Sequence, residues 1–78
     1  MNEVFIVVIQ DRHGEVEIHP FSDAQMAVDL AWANVPVGTE AARMNEAMVE
    51  DGWMLYLPYG TEGDFVRVIR RKLVGRGS

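Results

Sequence analysis

The sequence predicts an α+β fold, a four-stranded antiparallel sheet made of two β-hairpins with one or two helices packed on one face, in the order β-β-α-(α)-β-β. Three observations carry this prediction. A β-branched and aromatic run at residues 4–9 is followed by alternating polar and apolar residues at 15–21. A capped stretch with helical spacing covers 23–33. A second pair of apolar runs, 53–59 and 65–73, flanks a turn that contains Gly60 and Gly63.

The first strand is apolar on both faces, which argues for a central place in the sheet. A four-residue loop at 11–14, with Gly14 available for a positive φ, sets Ile9 opposite Val16 and Val7 opposite Ile18. On that register Phe5, Val7, Ile9, Val16 and Ile18 share the core face. Val4, Ile6 and Val8 share the other face with Glu15, Glu17 and His19, leaving an apolar stripe that something covers or that serves as a contact surface.

Ser22 followed by Gln25 reads as a capping box, with Asp23 adding a favourable charge at the helix start. Ala24, Ala27, Val28, Leu30 and Ala31 form the apolar side of that helix, with Asp29 off the stripe. Pro36 disfavours helical backbone at Val35 and ends it. Thr39 reads as a second N-cap, with Glu40 in the first turn, Ala41, Met44 and Met48 at helical spacing, and Gly52 as a stop.

In the strand at 53–59, Pro58 points to a sheet edge. Pairing Tyr59 with Phe65 brings Tyr56 opposite Val68, Met54 opposite Arg70 and Trp53 opposite Arg71. With two helices the antiparallel solution is the strand order 2-1-4-3; with one helix it is 2-1-3-4. The former is preferred. Residues 1–74 then form a single domain and 75–78 a flexible tail.

Global numbers narrow the function classes. At 78 residues the chain holds one small domain with modest burial, and with no cysteine it has neither disulfides nor thiolate chemistry. No apolar run approaches the length of a membrane-spanning helix. The amino terminus lacks a basic start and a small-residue cleavage site, so a cytoplasmic location is expected. Charge is polarised along the chain. Residues 1–65 carry all twelve acids and only Arg12 and Arg43, a net of −10, whereas residues 66–78 carry five bases and no acid, a net of +5. An acidic body repels nucleic acid and attracts basic surfaces, including the nucleic-acid channels of other proteins. The same composition also serves solubility, with the basic end neutralising acids on neighbouring strands.

Chemistry-bearing motifs are scarce. His13 and His19 are the two histidines, without the partners or spacing of a zinc site, so no metal or other cofactor is expected. Ser22 sits in no nucleophile motif, paired carboxylates such as Glu15 and Glu17 need a pocket that a sheet this small does not offer, and residues 60–63 are no phosphate loop. The expectation is a protein without enzymatic activity. Arg67, Arg70, Arg71 and Lys72 lie near Trp53, Tyr56 and Tyr59, a combination that suits nucleic-acid binding or, alternatively, cation–π packing within the hairpin. Met26, Met44, Met48 and Met54 serve either as an adaptable surface or as ordinary core, and Trp32 and Trp53 as packing residues or interface anchors.

Residues 4–14 (VFIVVIQDRHG), 16–22 (VEIHPFS), 52–56 (GWMLY), 62–64 and 66–69 together resemble small proteins of phage and phage-derived genomic islands. Among these the chain looks like a small anti-CRISPR protein of the class that acts on the type I-C surveillance complex, Cascade. The resemblance implies stoichiometric binding to Cascade that blocks engagement of target DNA, in a bacterial host cell, and it carries no catalytic or binding residues with it. An acidic, DNA-mimicking surface is the physical counterpart. Its candidate contacts are Glu15 and Glu17 on the open strand face and Asp29, Glu46, Glu50 and Asp51 on the helical side. The expected partner is a protein complex with a basic nucleic-acid-binding surface, met by a monomer. The rivals are a small nucleic-acid-binding protein and an interaction domain that dimerises through Val4, Ile6 and Val8.

Overall fold

Hydrophobic patterning resolves into six elements in a computed structural model that describes residues 2–60 and 63–73. They are β1 (Glu3–Gln10), β2 (Val16–Phe21), α1 (Ala24–Ala33), α2 (Glu46–Glu50), β3 (Trp53–Tyr59) and β4 (Asp64–Lys72). The tail expected at 75–78 and the turn residues Thr61 and Glu62 lie outside the described residues.

The four strands form one antiparallel sheet in the order β2-β1-β4-β3. The central places go to β1, whose run is apolar on both sides, and to β4, and Pro58 falls on an edge strand where its missing N–H costs no ladder bond. Helix α1 lies across one face. Its Ala27 and Ala31 are small enough to let it sit close to the sheet, and with Val7, Leu57, Val66 and Val68 they form the fully buried core. Phe5, Ile9, Phe21, Leu30, Val35, Met54, Leu55 and Tyr59 pack around it.

Four local expectations are corrected. The first concerns the β1–β2 register. The loop holds five residues, because the Asp11 side chain accepts hydrogen bonds from the His13 and Glu15 N–H groups at 2.8 and 3.0 Å while the Asp11 N–H donates to the Glu15 carbonyl at 3.1 Å. The extra residue moves Gln10 opposite Val16, Val8 opposite Ile18 and Val7 opposite His19. A one-residue slip exchanges faces along the whole strand. Val16 and Ile18 therefore leave the core face, and Glu17 and His19 join it at the sheet margin.

The second concerns the start of α1. Asp23, not Ser22, is the N-cap, its carboxylate accepting from the Gln25 and Met26 N–H groups at 2.8 and 3.3 Å. Gln25 turns its amide to Asp29 at 2.8 Å instead of reaching back.

The third concerns α2, which is one turn and a fraction long with Asn45 as its cap. Thr39 caps no helix; its hydroxyl and N–H both donate to the Pro36 carbonyl. The segment between runs beside β3, where the Ala42 N–H donates to the Tyr56 carbonyl at 2.9 Å and covers part of an edge strand. Gly52 does follow the helix end, with φ +95°.

The fourth concerns the second hairpin. Tyr59 pairs with Asp64, Pro58 with Phe65, Tyr56 with Arg67 and Leu55 with Val68, and a register shift between Trp53 and Leu55 then sets Trp53 opposite Ile69. The irregularity falls at Met54 and lets Met54 and its neighbour Leu55 both reach the core.

Candidate functional site

The face of the sheet away from α1 is built from alternate residues of all four strands. Cross-strand partners share a face, which places Val16, Ile18 and Pro20 of β2, Val4, Ile6, Val8 and Gln10 of β1, Phe65, Arg67, Ile69 and Arg71 of β4, and Trp53, Tyr56 and Pro58 of β3 together. No helix lies on it: α1 packs on the opposite side and α2 reaches only β3. Antiparallel sheets with one wet face normally alternate polar residues outward. This face does not. Ile18 is 62% exposed and Val16 49% exposed on the outer strand, while Val8 and Ile69 are nearly closed off between their neighbours.

One side of this face is an aromatic and arginine cluster. The Trp53 and Tyr56 rings meet edge to face at 5.4 Å, and Tyr56 meets Phe65 at 5.9 Å. The Arg67 guanidinium lies 4.6 Å from the centre of the Trp53 ring and 5.9 Å from that of Phe65. Arg71 holds the Asp51 carbonyl and reaches its carboxylate at 3.4 Å, and Asp51 accepts from the Trp53 indole at 3.2 Å. The turn after α2 is thereby tied to this end of β3 and β4. Arg70, on the helix side, lies 3.5 Å from Glu3. Of the four cations singled out on β4, only Lys72 has no such contact among the described residues. The cation–π reading of this strand fits Arg67, and neutralisation within the fold fits Arg70 and Arg71.

The predicted acidic residues divide. Glu15 lies in the β1–β2 loop, not on a strand face. Glu17, moved by the register to the helix side, faces His19 at 3.2 Å. Both belong to the β2 edge. Glu46, Glu50 and Asp51 belong to α2 and the turn after it, beside β3, at the opposite edge of the sheet. Asp29 on α1 holds Gln25. The fold does not gather the six carboxylates into one patch. Glu15, Glu46 and Glu50 face solvent with no cation within ion-pair distance among the described residues.

At the other end of the molecule the β1–β2 loop meets the start of β4. The Arg12 N–H donates to the Asp64 carboxylate at 2.8 Å, a link of high sequence separation that joins the β1–β2 loop to β4. Tyr59 lies nearby, and its phenol pKa is raised above 10.0 by burial, reinforced by the carboxylates of Asp64 and Asp11. Among the described residues no group of three or more potential ligands comes together for a metal ion, and no helix is long and apolar enough to cross a membrane. A shallow depression of about 340 Å³ beside Asn2, Glu3, Phe5, Ser22 and Leu73 contains Glu3 as its one ionisable group and makes no catalytic constellation.

The apolar stripe of Val4, Ile6 and Val8 was legible from the sequence. Its extension by Val16 and Ile18 was not, because it depends on the loop length that sets the β1–β2 register, and its extension by Ile69 depends on the β1–β4 pairing. Cation–π packing of the β4 arginines within the hairpin is legible from the sequence, but the choice of Arg67 as the partner of Trp53 depends on the second hairpin's turn length and the irregularity at Met54. No family model, curated protein or solved structure matches the chain.

Proposed function

We propose that this chain is a non-enzymatic inhibitory binding protein whose outward negative charge occupies the basic nucleic-acid-binding surface of a partner complex. The resemblance to small anti-CRISPR proteins makes type I-C Cascade the first partner to test, with blocked capture of target DNA as the outcome. The observation that carries this reading is the disposition of charge. Arg67, Arg70 and Arg71 are engaged by Trp53, Glu3 and Asp51 of the same chain, whereas Glu15, Glu46 and Glu50 face solvent unbalanced. The same disposition argues against direct nucleic-acid binding by this strand, since a phosphate backbone needs cations that are free to meet it and, of Arg67, Arg70, Arg71 and Lys72, the three arginines are engaged within the chain.

The division of the acids between two edges sharpens the reading: one edge makes the contact. Glu46 and Glu50 stand one helical turn apart on α2, a like-charge pair that stabilises neither residue and favours a cationic partner. The test is a mobility-shift assay of target DNA on purified type I-C Cascade. Wild-type protein is expected to suppress the shift. Glu46→Lys with Glu50→Lys is expected to weaken that suppression at least tenfold, and Glu15→Lys with Glu17→Lys to leave it within about twofold. Suppression untouched by either pair removes charge mimicry, and no suppression by the wild type removes the Cascade assignment.

A further inference from the structure

The open sheet face carries an inference independent of the inhibitory reading. We infer that it is the interface of a symmetric dimer, in which two copies of this chain pack their sheets face to face. Its composition selects the occupant. The chain has twelve acids, yet no carboxylate-bearing residue occupies any of the paired strand positions on this face. Its two cations are engaged within the chain, the Arg67 guanidinium by the rings of Trp53 and Phe65, with its buried Nε left without a hydrogen-bond partner among the described residues, and Arg71 by Asp51. A basic partner would need acids here and a nucleic acid would need free cations. An apolar, acid-free surface whose Arg67 charge is held over aromatic rings is matched by another of the same kind, and the face of a second copy is one. The absence of acids matters doubly for a chain of net charge −5, because it lets two like-charged molecules approach without bringing their carboxylates together.

Shape and size agree. Place a two-fold axis in the interface, parallel to the strands and between β1 and β4. It sets β2 of one copy over β3 of the other, and because such an axis preserves height along the strands, Ile18 meets Tyr56, Pro20 meets Trp53 and Val16 meets Pro58, twice over. Arg67 and Arg71 then lie over β1 of the other copy and not over one another. Four strands spaced about 4.8 Å apart and roughly 20–25 Å long present about 400–500 Å² of face per copy before side-chain relief is counted. Two such faces approach the roughly 1,000 Å² at which specific interfaces begin. Sheets packed this way stack about 10 Å apart, the spacing that apolar side chains of this size fill.

Sedimentation equilibrium from about 1 µM to about 500 µM tests the inference. The expected result is a mass twice the 8.8 kDa of the chain at the upper end, falling towards 8.8 kDa on dilution. Ile18→Glu, at an exposed position on the outer strand, is expected to raise the dissociation constant at least about tenfold with an unchanged circular-dichroism spectrum. Val37→Glu, in a fully exposed loop away from the sheet, is expected to leave it unchanged. Should Ile18→Glu lose its fold, Val16→Lys on the same ridge repeats the measurement. A single-copy mass across the whole range overturns the inference and assigns the face to a different protein. A dimer indifferent to both Ile18→Glu and Val16→Lys overturns it as well, since its interface is then elsewhere.

Discussion

Gly52 has no room for a side chain. Its φ of +95° lies in the left-handed region, and a Cβ there would stand 2.5 Å from the Arg70 carbonyl oxygen. The Gly52 carbonyl accepts from the Arg70 N–H at 2.8 Å, a backbone link between the end of α2 and β4 beside the Asp51–Arg71 contact. Gly52→Ala is expected to lower unfolding free energy by about 1–3 kcal/mol, read from the denaturant midpoint at constant slope. An unshifted midpoint would mean that the backbone relaxes around the methyl group. At the opposite end Tyr59 gives a pH signature. Burial, then Asp64, then Asp11 raise its phenol above 10.0, so the folded chain holds this proton more tightly than the unfolded chain. The stability it contributes is whole below pH 10 and is lost as pH rises through the folded value. Tyr59→Phe should flatten that alkaline decline, and Asp64→Asn should bring the phenolate absorbance in at lower pH than in the wild type. An alkaline decline identical in Tyr59→Phe would place its origin in another group.

Among the elements, the β1–β2 hairpin shows how a single side chain sets a surface. Asp11 accepts from two N–H groups of its own loop, the loop gains a residue, and β2 turns Val16 and Ile18 away from the core. Asp11→Ala removes both acceptors. Stability is expected to fall by about 1 kcal/mol, and hydrogen exchange at the amides of β2 to speed up relative to those of β4. Equal protection in wild type and variant would show that core packing alone holds the register. Helix α2 illustrates the reverse case, in which local pattern is overridden. Ala41, Met44 and Met48 have helical spacing, but the chain before Asn45 gives an N–H to the edge of β3 instead, because an uncovered edge strand has backbone acceptors to satisfy.

For the molecule as a whole, charge and apolar surface are sorted onto different sides. Among the described residues, carboxylates occupy the loops, the helices and the helix side of the sheet, and no strand position on the open face carries one. The two sides admit separate occupants, a cationic partner at an acidic edge and a second copy on the sheet. The mobility-shift and sedimentation measurements above address them one at a time. A domain of this size has a small core, with Val7, Ala27, Ala31, Leu57, Val66 and Val68 the fully enclosed side chains among the described residues. Burial of the open face in a dimer would add to it.

What was readable from the residues was whatever repeats locally. The central strand was visible as a run apolar on both sides, α1 as a helical spacing with a polar start, the edge position of β3 through Pro58, and the 2-1-4-3 order as the preferred of two antiparallel solutions, the other being 2-1-3-4 with a single helix. Periodicity tells which residues of one strand share a side. It carries no information on which residue of the neighbouring strand stands opposite, and a loop longer by one residue or an irregularity at Met54 reverses that relation. Folding in three dimensions therefore settled that Ile18 joins Val8 on the outer surface, that Arg67 rests on Trp53, and that Glu15 and Glu46 lie at opposite edges.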